Sequence, residues 1–391
     1  MSAAAFAMEK PVDRTRNDYV LLVCLLLLAG LGLVNLYSAS YGYAVAIGKE
    51  PGYFAFRQAF IFLPPALLAF LAGTFVKFDT VRRLIGPAML LAILLLALPL
   101  VPGIGITKNG ASRWFGVGRF MFQPSELFKP LLVLYLAHIL GKKSDRLSDL
   151  VNSVLPPLII AAAGIGLVLL QNDFSTAIVL TLIAVVMFWV AEVPVVFFTA
   201  LASIGIPLFA LMVLTSDYRL KRVLGFLVPS FDPADISYQV NGSLRAIRSG
   251  GLWGKGFGQG VLKLRNIPEV QSDFVFAAWV EETGLLGMLL FVALWAVFLV
   301  RVFAAVFRVS DHYAALVLLG MGSYLGLQTL LNIAVVSGVV PATGIPLPFF
   351  SAGGSSLLSV AIASGCINQA VRLSRGQAIT AASADRVVNY V

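Results

Sequence analysis

Long apolar runs recur along this chain from residue 19 to residue 371, with short polar segments between them. Most of the runs are close to the roughly 20 residues that an α-helix needs to cross the hydrocarbon core of a bilayer. They predict ten transmembrane helices, over residues 18–38, 56–76, 84–101, 125–141, 152–171, 175–191, 195–214, 283–303, 313–337 and 354–371. The pattern therefore predicts an all-α, polytopic integral membrane protein that forms one domain over residues 1–391.

Basic residues mark one side of this predicted membrane domain. Its segments contain Lys10, Arg14, Arg16, Lys77, Arg82, Arg83, Lys142, Lys143, Arg146, Arg301, Arg308, Arg372 and Arg375. Because cytoplasmic loops carry an excess of Lys and Arg, both termini, residues 1–17 and 372–391, are predicted to be cytoplasmic. No small-residue cleavage site follows the first run, which is therefore interpreted as a span and not as a signal peptide.

One large connection, residues 215–282, lies on the opposite, extracytoplasmic side between the seventh and eighth predicted helices. Its basic residues are Arg219, Lys221, Arg222, Arg245, Arg248, Lys255, Lys263 and Arg265. Long loops are exempt from the positive-inside rule, so these charges do not change the predicted topology. Two interpretations stay open: a solvated, mildly basic loop, or a surface that receives an anionic substrate at the outer leaflet.

Composition supports a membrane protein and excludes several other classes. Of the 391 residues, 59% are hydrophobic and 12% charged, whereas soluble proteins have about 25% charged residues. The net charge of +9 is scattered between the spans, which argues against nucleic acid as a partner. Cys24 and Cys366 lie in apolar runs and His138 and His312 are isolated, so neither a disulfide framework nor a metal site is predicted.

Residues 103–129 carry the first candidate chemistry. Gly and Asn residues predict a loop in the first half, and the QPSE sequence predicts the start of the fourth helix. Glu126 and Lys129 are spaced i, i+3, so they share a helix face and are interpreted as a structural ion pair. Arg113, beside Trp114, is a candidate phosphate contact.

Three further segments are singled out by their composition. Asp173 in QNDFST is either a helix cap or a second acid that faces the site. The glycine run at 250–260 fits no nucleotide-binding motif and indicates sharp bends or close approach of the backbone. Residues 341–356 contain three prolines and three glycines before the last span, and such irregular backbone is tolerated at membrane depth only when buried or lining a cavity.

Asp273 is the acid of greatest interest, because it precedes an apolar run and is followed about two turns later by Glu281 and Glu282. Acids at the edge of a hydrophobic segment cost free energy and indicate a functional site. Asp273 is interpreted as a helix cap, as a proton-relay acid of a transporter or as a general base. The residues alone leave these three interpretations open.

Six segments in order resemble one family along essentially the whole chain. They are LYSAS at 36–40, GASRWFGVGRFMFQPSELFK at 110–129, QNDFST at 171–176, YQVNGSLRAIRSGGLWGKGFGQG at 238–260, IPEVQSDFVFAAWVEETG at 267–284 and PATGIPLPFFSAGGSSLL at 341–358. Together they resemble the SEDS family, the shape, elongation, division and sporulation glycosyltransferases. The chain departs from the family's usual residues at Asn172, Ser175, Gln271, Ser272 and Ala352.

This resemblance implies a ten-helix enzyme of the bacterial cytoplasmic membrane that polymerises lipid II into β-1,4 glycan strands at the outer face. It places the family's essential acid on Asp273, as the general base that takes the proton of the acceptor's 4-hydroxyl. Candidate substrate contacts, some of which would stabilise the leaving pyrophosphate, are Arg113, Lys221, Arg222, Arg245, Lys255 and Ser351. Glu126, Lys129, Asp173, Glu281 and Glu282 are expected to be supporting residues, and no cofactor is required, although a divalent cation could assist.

The resemblance also implies partners and leaves alternatives. The expected partners are a class B penicillin-binding protein with transpeptidase activity and other membrane proteins of the divisome or elongasome. LYSAS favours a division-type, FtsW-like member, while GLWGKG and TGIPLPFFS lean toward an elongation-type, RodA-like one. A lipid II flippase and a non-catalytic scaffold are the competing functions.

Overall fold

The computed structural model describes residues 17–108, 110–117, 120–143, 149–227, 236–261 and 270–388. Its helices are α1 Tyr19–Ala46, α2 Tyr53–Phe75, α3 Phe78–Leu100, α4 Pro124–Lys142, α5 Leu150–Leu170, α6 Phe174–Val190, α7 Val195–Leu214, α8 Asp217–Leu227, α9 Ile236–Gly250, α10 Val275–Val306, α11 His312–Val336 and α12 Gly354–Val388. The strands are β1 Gly105–Lys108, β2 Ala111–Val117 and β3 Phe120–Phe122. Several predicted features lie outside the described residues, namely Lys10, Arg14, Arg16, Arg146, Lys263, Arg265, the side chain of Arg375 and residues 267–269.

Every predicted span falls on a helix, which confirms a helical, multi-pass membrane architecture. Eight helices of the described chain are long and apolar enough to cross a membrane: α1, α2, α3, α5, α7, α10, α11 and the Gly354–Ser374 part of α12. The count of ten is not confirmed by length and composition. The two remaining spans correspond to α6, which has only 17 residues, and to α4, which carries Glu126 and Lys129 near its start.

The structure differs from the prediction on the extracytoplasmic side of the predicted topology. Residues expected as a loop form a three-stranded antiparallel sheet in the order β1-β2-β3, so their main-chain polar groups pair with one another. The large connection contains α8 and α9, whose alternation of charged and apolar residues gives no span-like run. Helix α10 begins at Val275 and not near residue 283, because Glu281 and Glu282 interrupt the apolar run without ending the helix.

Helix α11 is the centre of the bundle. It packs against α4, α6, α10 and α12, and it is the most completely buried of the candidate spans. Helix α7 is the opposite extreme, because almost all of it is exposed. Helix α9 of the large connection packs on α10, which also contacts α1. Side chains that point outward from α11 therefore reach elements on several sides.

The two ends of the bundle contain different polar groups and elements. At one end, which we term the basic end, Arg301 forms an ion pair with Asp18 at 2.7 Å and Arg82 forms one with Asp311. The opposite end, termed the site end, holds the sheet, α8, α9 and the segments 270–274 and 341–353. Candidate catalytic and binding residues therefore gather at one end of the bundle.

The packing of α2 against α12 depends on a close approach at Gly365. A Cβ atom on Gly365 would lie 2.4 Å from the carbonyl oxygen of Phe70. We therefore expect Gly365→Ala to lower the free energy of unfolding by about 1–3 kcal/mol through overpacking. Gly30→Ala is the matched control, because nothing lies within 4 Å of its Cβ position on α1. Thermal unfolding in detergent checks the pair, and equal midpoints for the two variants would contradict the contact.

Candidate functional site

Asp273 lies in the segment that leads into α10. The N-cap residue of this helix is Phe274, so Asp273 precedes the cap position. Its main-chain carbonyl accepts a hydrogen bond of 2.9 Å from the side-chain amide of Asn332 on α11. The same amide nitrogen donates to the carbonyl of Ile345 at 2.7 Å. One buried side chain thus joins the Asp273 segment to the proline-rich loop 341–353.

Ser351 provides a second connection between these two segments. Its hydroxyl accepts a 2.7 Å hydrogen bond from the amide of Leu347 and donates to the carbonyl of Ser272. The amide of Ala352 also donates to the carbonyl of Gln271, at 2.8 Å. The structure therefore places Ser351, predicted as a substrate contact, where it holds the main chain on the N-terminal side of Asp273.

Gly344 lies directly against the Asp273 carboxylate. A Cβ atom at this position would be 3.1 Å from Oδ2 of Asp273 and 3.9 Å from its Cγ. A larger residue would therefore displace the carboxylate. Asp273 itself is partly exposed, which its predicted role as a general base requires.

A buried chain of polar groups supports loop 341–353 from the side of α4. Lys129 and Glu126 form an ion pair at 2.7 Å, and both side chains are almost completely buried. Lys129 also donates to the side-chain oxygen of Gln328 at 3.0 Å. The amide of Gln328 then donates to the carbonyl of Pro346 at 2.9 Å. This chain carries the contact from α4 through α11 to the loop.

Glu281 and Glu282 hold the glycine-rich segment 250–261. Glu281 accepts hydrogen bonds from Lys255 at 3.2 Å and from the amide of Val261 at 3.0 Å. Glu282 accepts from the hydroxyl of Ser38 at 2.7 Å and from the amide of Gly258 at 3.0 Å. Lys255, predicted to bind substrate, thus contacts an internal carboxylate.

Helix α10 bends at Gly284, where the glycine-rich segment packs against it. Gly284 has φ 69° and ψ −162°, and a Cβ atom there would lie 2.3 Å from the amide nitrogen of Gly254. A positive φ and this close approach both require glycine. The glycine-rich segment is therefore seated against α10 at its bend, which agrees with the expected sharp turns and close backbone approach.

Asp173 caps α6 and also contacts a cation. Its carboxylate accepts hydrogen bonds from the amide and the hydroxyl of Thr176, at 3.2 and 2.9 Å, and from the side-chain amide of Gln123 at 3.0 Å. Arg113 approaches the same carboxylate at 3.5 Å and donates to the carbonyl of Asn172 at 3.0 Å. The cap therefore also orients Arg113.

A cavity of about 590 Å³ opens at the site end, between the starts of α6 and α8, the end of α7 and residues 340–345. Arg113, Arg219 and Arg222 line it. Lys221 and Arg245 are exposed and do not line it, and Arg245 donates to the carbonyl of Asn241. Of the cations predicted to bind substrate, the structure brings Arg113 and Arg222 together at one cavity.

Sequence reasoning missed several residues of this site. Arg219 was not among the predicted substrate contacts; its i, i+3 spacing from the predicted Arg222 becomes a signal only once α8 is known to be a helix. Asn332 and Gln328 are polar residues inside an apolar span, which is itself a signal of function or structural support.

The described residues contain no group of three or more His, Cys, Asp or Glu that could hold a metal ion, and an assisting divalent cation stays a prediction.

The role of Glu282 generates a prediction about local order. Glu282→Ala removes the acceptor of the Gly258 amide and of the Ser38 hydroxyl, so the glycine-rich segment should open more often. We expect amide hydrogen exchange across residues 254–261 to accelerate about tenfold, while exchange in α11 stays unchanged. Glu50→Ala, at an exposed acid between α1 and α2, is the control. Unchanged exchange in the Glu282 variant would show that the carboxylate does not hold the segment.

The chain is similar to known proteins over most of its length. The FtsW/RodA/SpoVE family model, described as cell cycle protein, matches residues 18–376. Stage V sporulation protein E of Bacillus subtilis is 36% identical over 93% of this chain and 99% of its own length. The probable peptidoglycan glycosyltransferase FtsW of Halorhodospira halophila is 39% identical over 84% of each chain.

Solved structures show the same fold. A chain from a study of the structural coordination of polymerization and crosslinking by a peptidoglycan synthase complex aligns with a TM-score of 0.74 and 31% identity, over 91% of this chain and 98% of that chain. The rod shape determining protein RodA of Thermus thermophilus aligns with a TM-score of 0.66 and 29% identity, over 91% and 97% of the two chains.

Proposed function

The chain belongs to the FtsW/RodA/SpoVE family of cell cycle proteins, and on this premise we propose that it is a peptidoglycan glycosyltransferase that polymerises lipid II, with Asp273 as general base. The observation that carries the assignment is the position of the Asp273 carboxylate. The carboxylate lies against Gly344. The residues on either side of Gly344 in the chain, Thr343 and Ile345, line the arginine-containing cavity. A base and a cationic site for a leaving group are thus separated by one residue of loop 341–353.

The reaction follows from this arrangement as a single displacement. The 4-hydroxyl oxygen of the acceptor sugar attacks the anomeric carbon of the donor while Asp273 takes the hydroxyl proton. The bond from that carbon to the pyrophosphate oxygen breaks, and undecaprenyl pyrophosphate leaves with the electron pair. Attack opposite an α-linked leaving group gives the β-1,4 link. Arginine side chains near the leaving oxygen stabilise its developing charge.

The orientation in the membrane is also proposed. The basic end contains Lys77, Arg82 and Arg83, which suits the cytoplasmic face, and the site end then faces outward. Both termini are cytoplasmic in this arrangement. Lipid II would therefore be used at the outer face of the bacterial cytoplasmic membrane, where the glycan strand is needed.

Partner and cellular role are supported by the relatives. A similar chain was solved in a peptidoglycan synthase complex that couples polymerization to crosslinking. We accordingly propose a class B penicillin-binding transpeptidase as partner, within a divisome or elongasome. Similarity to proteins named FtsW and to a sporulation protein supports a role in septal synthesis, with a RodA-type elongation role as the alternative.

The central prediction concerns the carboxylate. Asp273→Asn keeps the side-chain volume but cannot accept the acceptor proton, so lipid II polymerisation by the purified protein with its transpeptidase partner should fall at least a hundredfold. Glu50→Gln removes an exposed acid that does not line the cavity and should leave the rate unchanged. Glycan strands of normal length and rate from the Asp273 variant would overturn the general-base assignment.

Two further assays separate a polymerase from a flippase and from a scaffold. If the protein is a flippase, the wild type will translocate fluorescent lipid II in vesicles and will make no glycan. A scaffold carrying Asp273→Asn would fully complement loss of the wild-type gene in cells. Either result, together with absent polymerisation by the wild type, would contradict the proposed function.

Gly344 tests how closely the base must be positioned. Gly344→Ala places a Cβ atom 3.1 Å from Oδ2 of Asp273, so the carboxylate must move by a few tenths of an ångström. We expect kcat to fall about tenfold with little change in thermal stability, because misplacement of a catalytic group costs rate more than stability. Gly353→Ala is the control in the same loop, since its nearest neighbour would be at an ordinary 3.6 Å. Equal kcat for the two variants would contradict this role of Gly344.

A further inference from the structure

We propose that the arginine-lined cavity is the donor site of the transferase, that it binds the diphosphate of the lipid-linked donor sugar, and that Arg219 is a further binding residue there. The proposal rests on the proposed function and deepens it, because it assigns donor and acceptor to the two sides of loop 341–353. Arg219 was among the basic residues of the large connection but was not distinguished from the others by sequence.

The charges of the cavity fit an anion. Three guanidinium groups line it, and none of its described lining residues is an acid. Asp173 reaches Arg113 at 3.5 Å from outside the lining. Arg219 donates to the carbonyl of Met212 at 2.8 Å and stacks on the Phe174 ring at 5.2 Å, so its described partners are neutral. Cations in a partly buried site favour an anionic ligand, and guanidinium groups match the paired oxygens of phosphates.

The rest of the lining suits a lipid. Phe174 and Ile178 of α6 and Phe209 and Val213 of α7 form an apolar wall beside the guanidinium groups. Helix α7 is exposed along almost its whole length, so in a membrane its outer surface contacts acyl chains. A ligand with a charged head and a prenyl tail can therefore place the head among the arginines and leave its tail along α7. Free phosphate would use only the polar part of this cavity.

The position of Asp273 distinguishes donor from acceptor. Thr343 and Ile345 line the cavity, and Gly344 between them touches the Asp273 carboxylate. The base must reach the acceptor hydroxyl, which attacks the carbon that carries the donor's diphosphate. The acceptor's own diphosphate lies a disaccharide away from that hydroxyl. The diphosphate nearest to the base is therefore the donor's, which assigns the cavity to the donor.

Binding of undecaprenyl diphosphate, the leaving group itself, tests the site. We expect Arg219→Gln to weaken its binding to the purified full-length protein about tenfold, because a charge-assisted phosphate contact is lost. Arg219→Lys should recover part of the affinity, and undecaprenol, which lacks phosphate, should bind both variants equally. Arg248→Gln removes an exposed cation from the same connection without touching the cavity, and it should bind like wild type.

Two further measurements complete the test. Inorganic pyrophosphate should compete far more weakly than undecaprenyl diphosphate if the apolar wall holds the tail; equal competition would assign the cavity to free phosphates. Undecaprenyl diphosphate should also inhibit polymerisation by wild type about tenfold more strongly than by Arg219→Gln.

Unchanged binding and inhibition in a monodisperse Arg219→Gln variant would overturn the donor assignment. Asp273→Asn should bind undecaprenyl diphosphate normally, and retention of polymerisation by that variant would overturn the proposed base and not the donor site.

Discussion

The side-chain amide of Asn332 donates hydrogen bonds to two main-chain carbonyls in the bundle's interior, those of Asp273 and Ile345. Asp273 and Ile345 belong to irregular segments, and buried carbonyls without hydrogen bonds cost free energy where water is scarce. Helix α11 can provide this amide because it lies at the centre of the bundle. The segment that carries Asp273, the proposed base, is thus held by its main chain.

The other acids near the site are compensated in different ways. Glu126 pairs with Lys129 inside the bundle, and Asp173 caps a helix while it contacts Arg113. Glu281 and Glu282 accept bonds from the glycine-rich segment and from Ser38. These carboxylates offset their burial by ordering irregular backbone or by pairing with a cation, as buried charges must. Their chemistry supports the site's shape and does not require a substrate.

Apolar periodicity predicted the helices well because a bilayer requires long continuous runs, and each predicted span falls on a helix. It failed where charge interrupts a helix, at Glu281 and Glu282, and where short strands or amphipathic helices lie outside the spans. Asp273 was singled out by its motif, and its role as general base stays a prediction. The contacts of Asn332 and Gly344, and the lining by Arg219, arise between elements far apart in the chain. Spacing along the sequence carries no information about such contacts.

Loop 341–353 lies between the cations of the cavity and Asp273, the proposed base. The carbonyl of Ala342 accepts a 3.0 Å hydrogen bond from Arg222, and two residues later Gly344 touches the Asp273 carboxylate. The loop therefore lies beside both the Arg222 guanidinium and the Asp273 carboxylate. In a displacement reaction the proton is removed on one side of the reacting carbon while charge develops on the other. In the proposed mechanism one short loop lies beside both groups, and Asn332, Gln328 and Ser351 hold its proline-rich backbone in place.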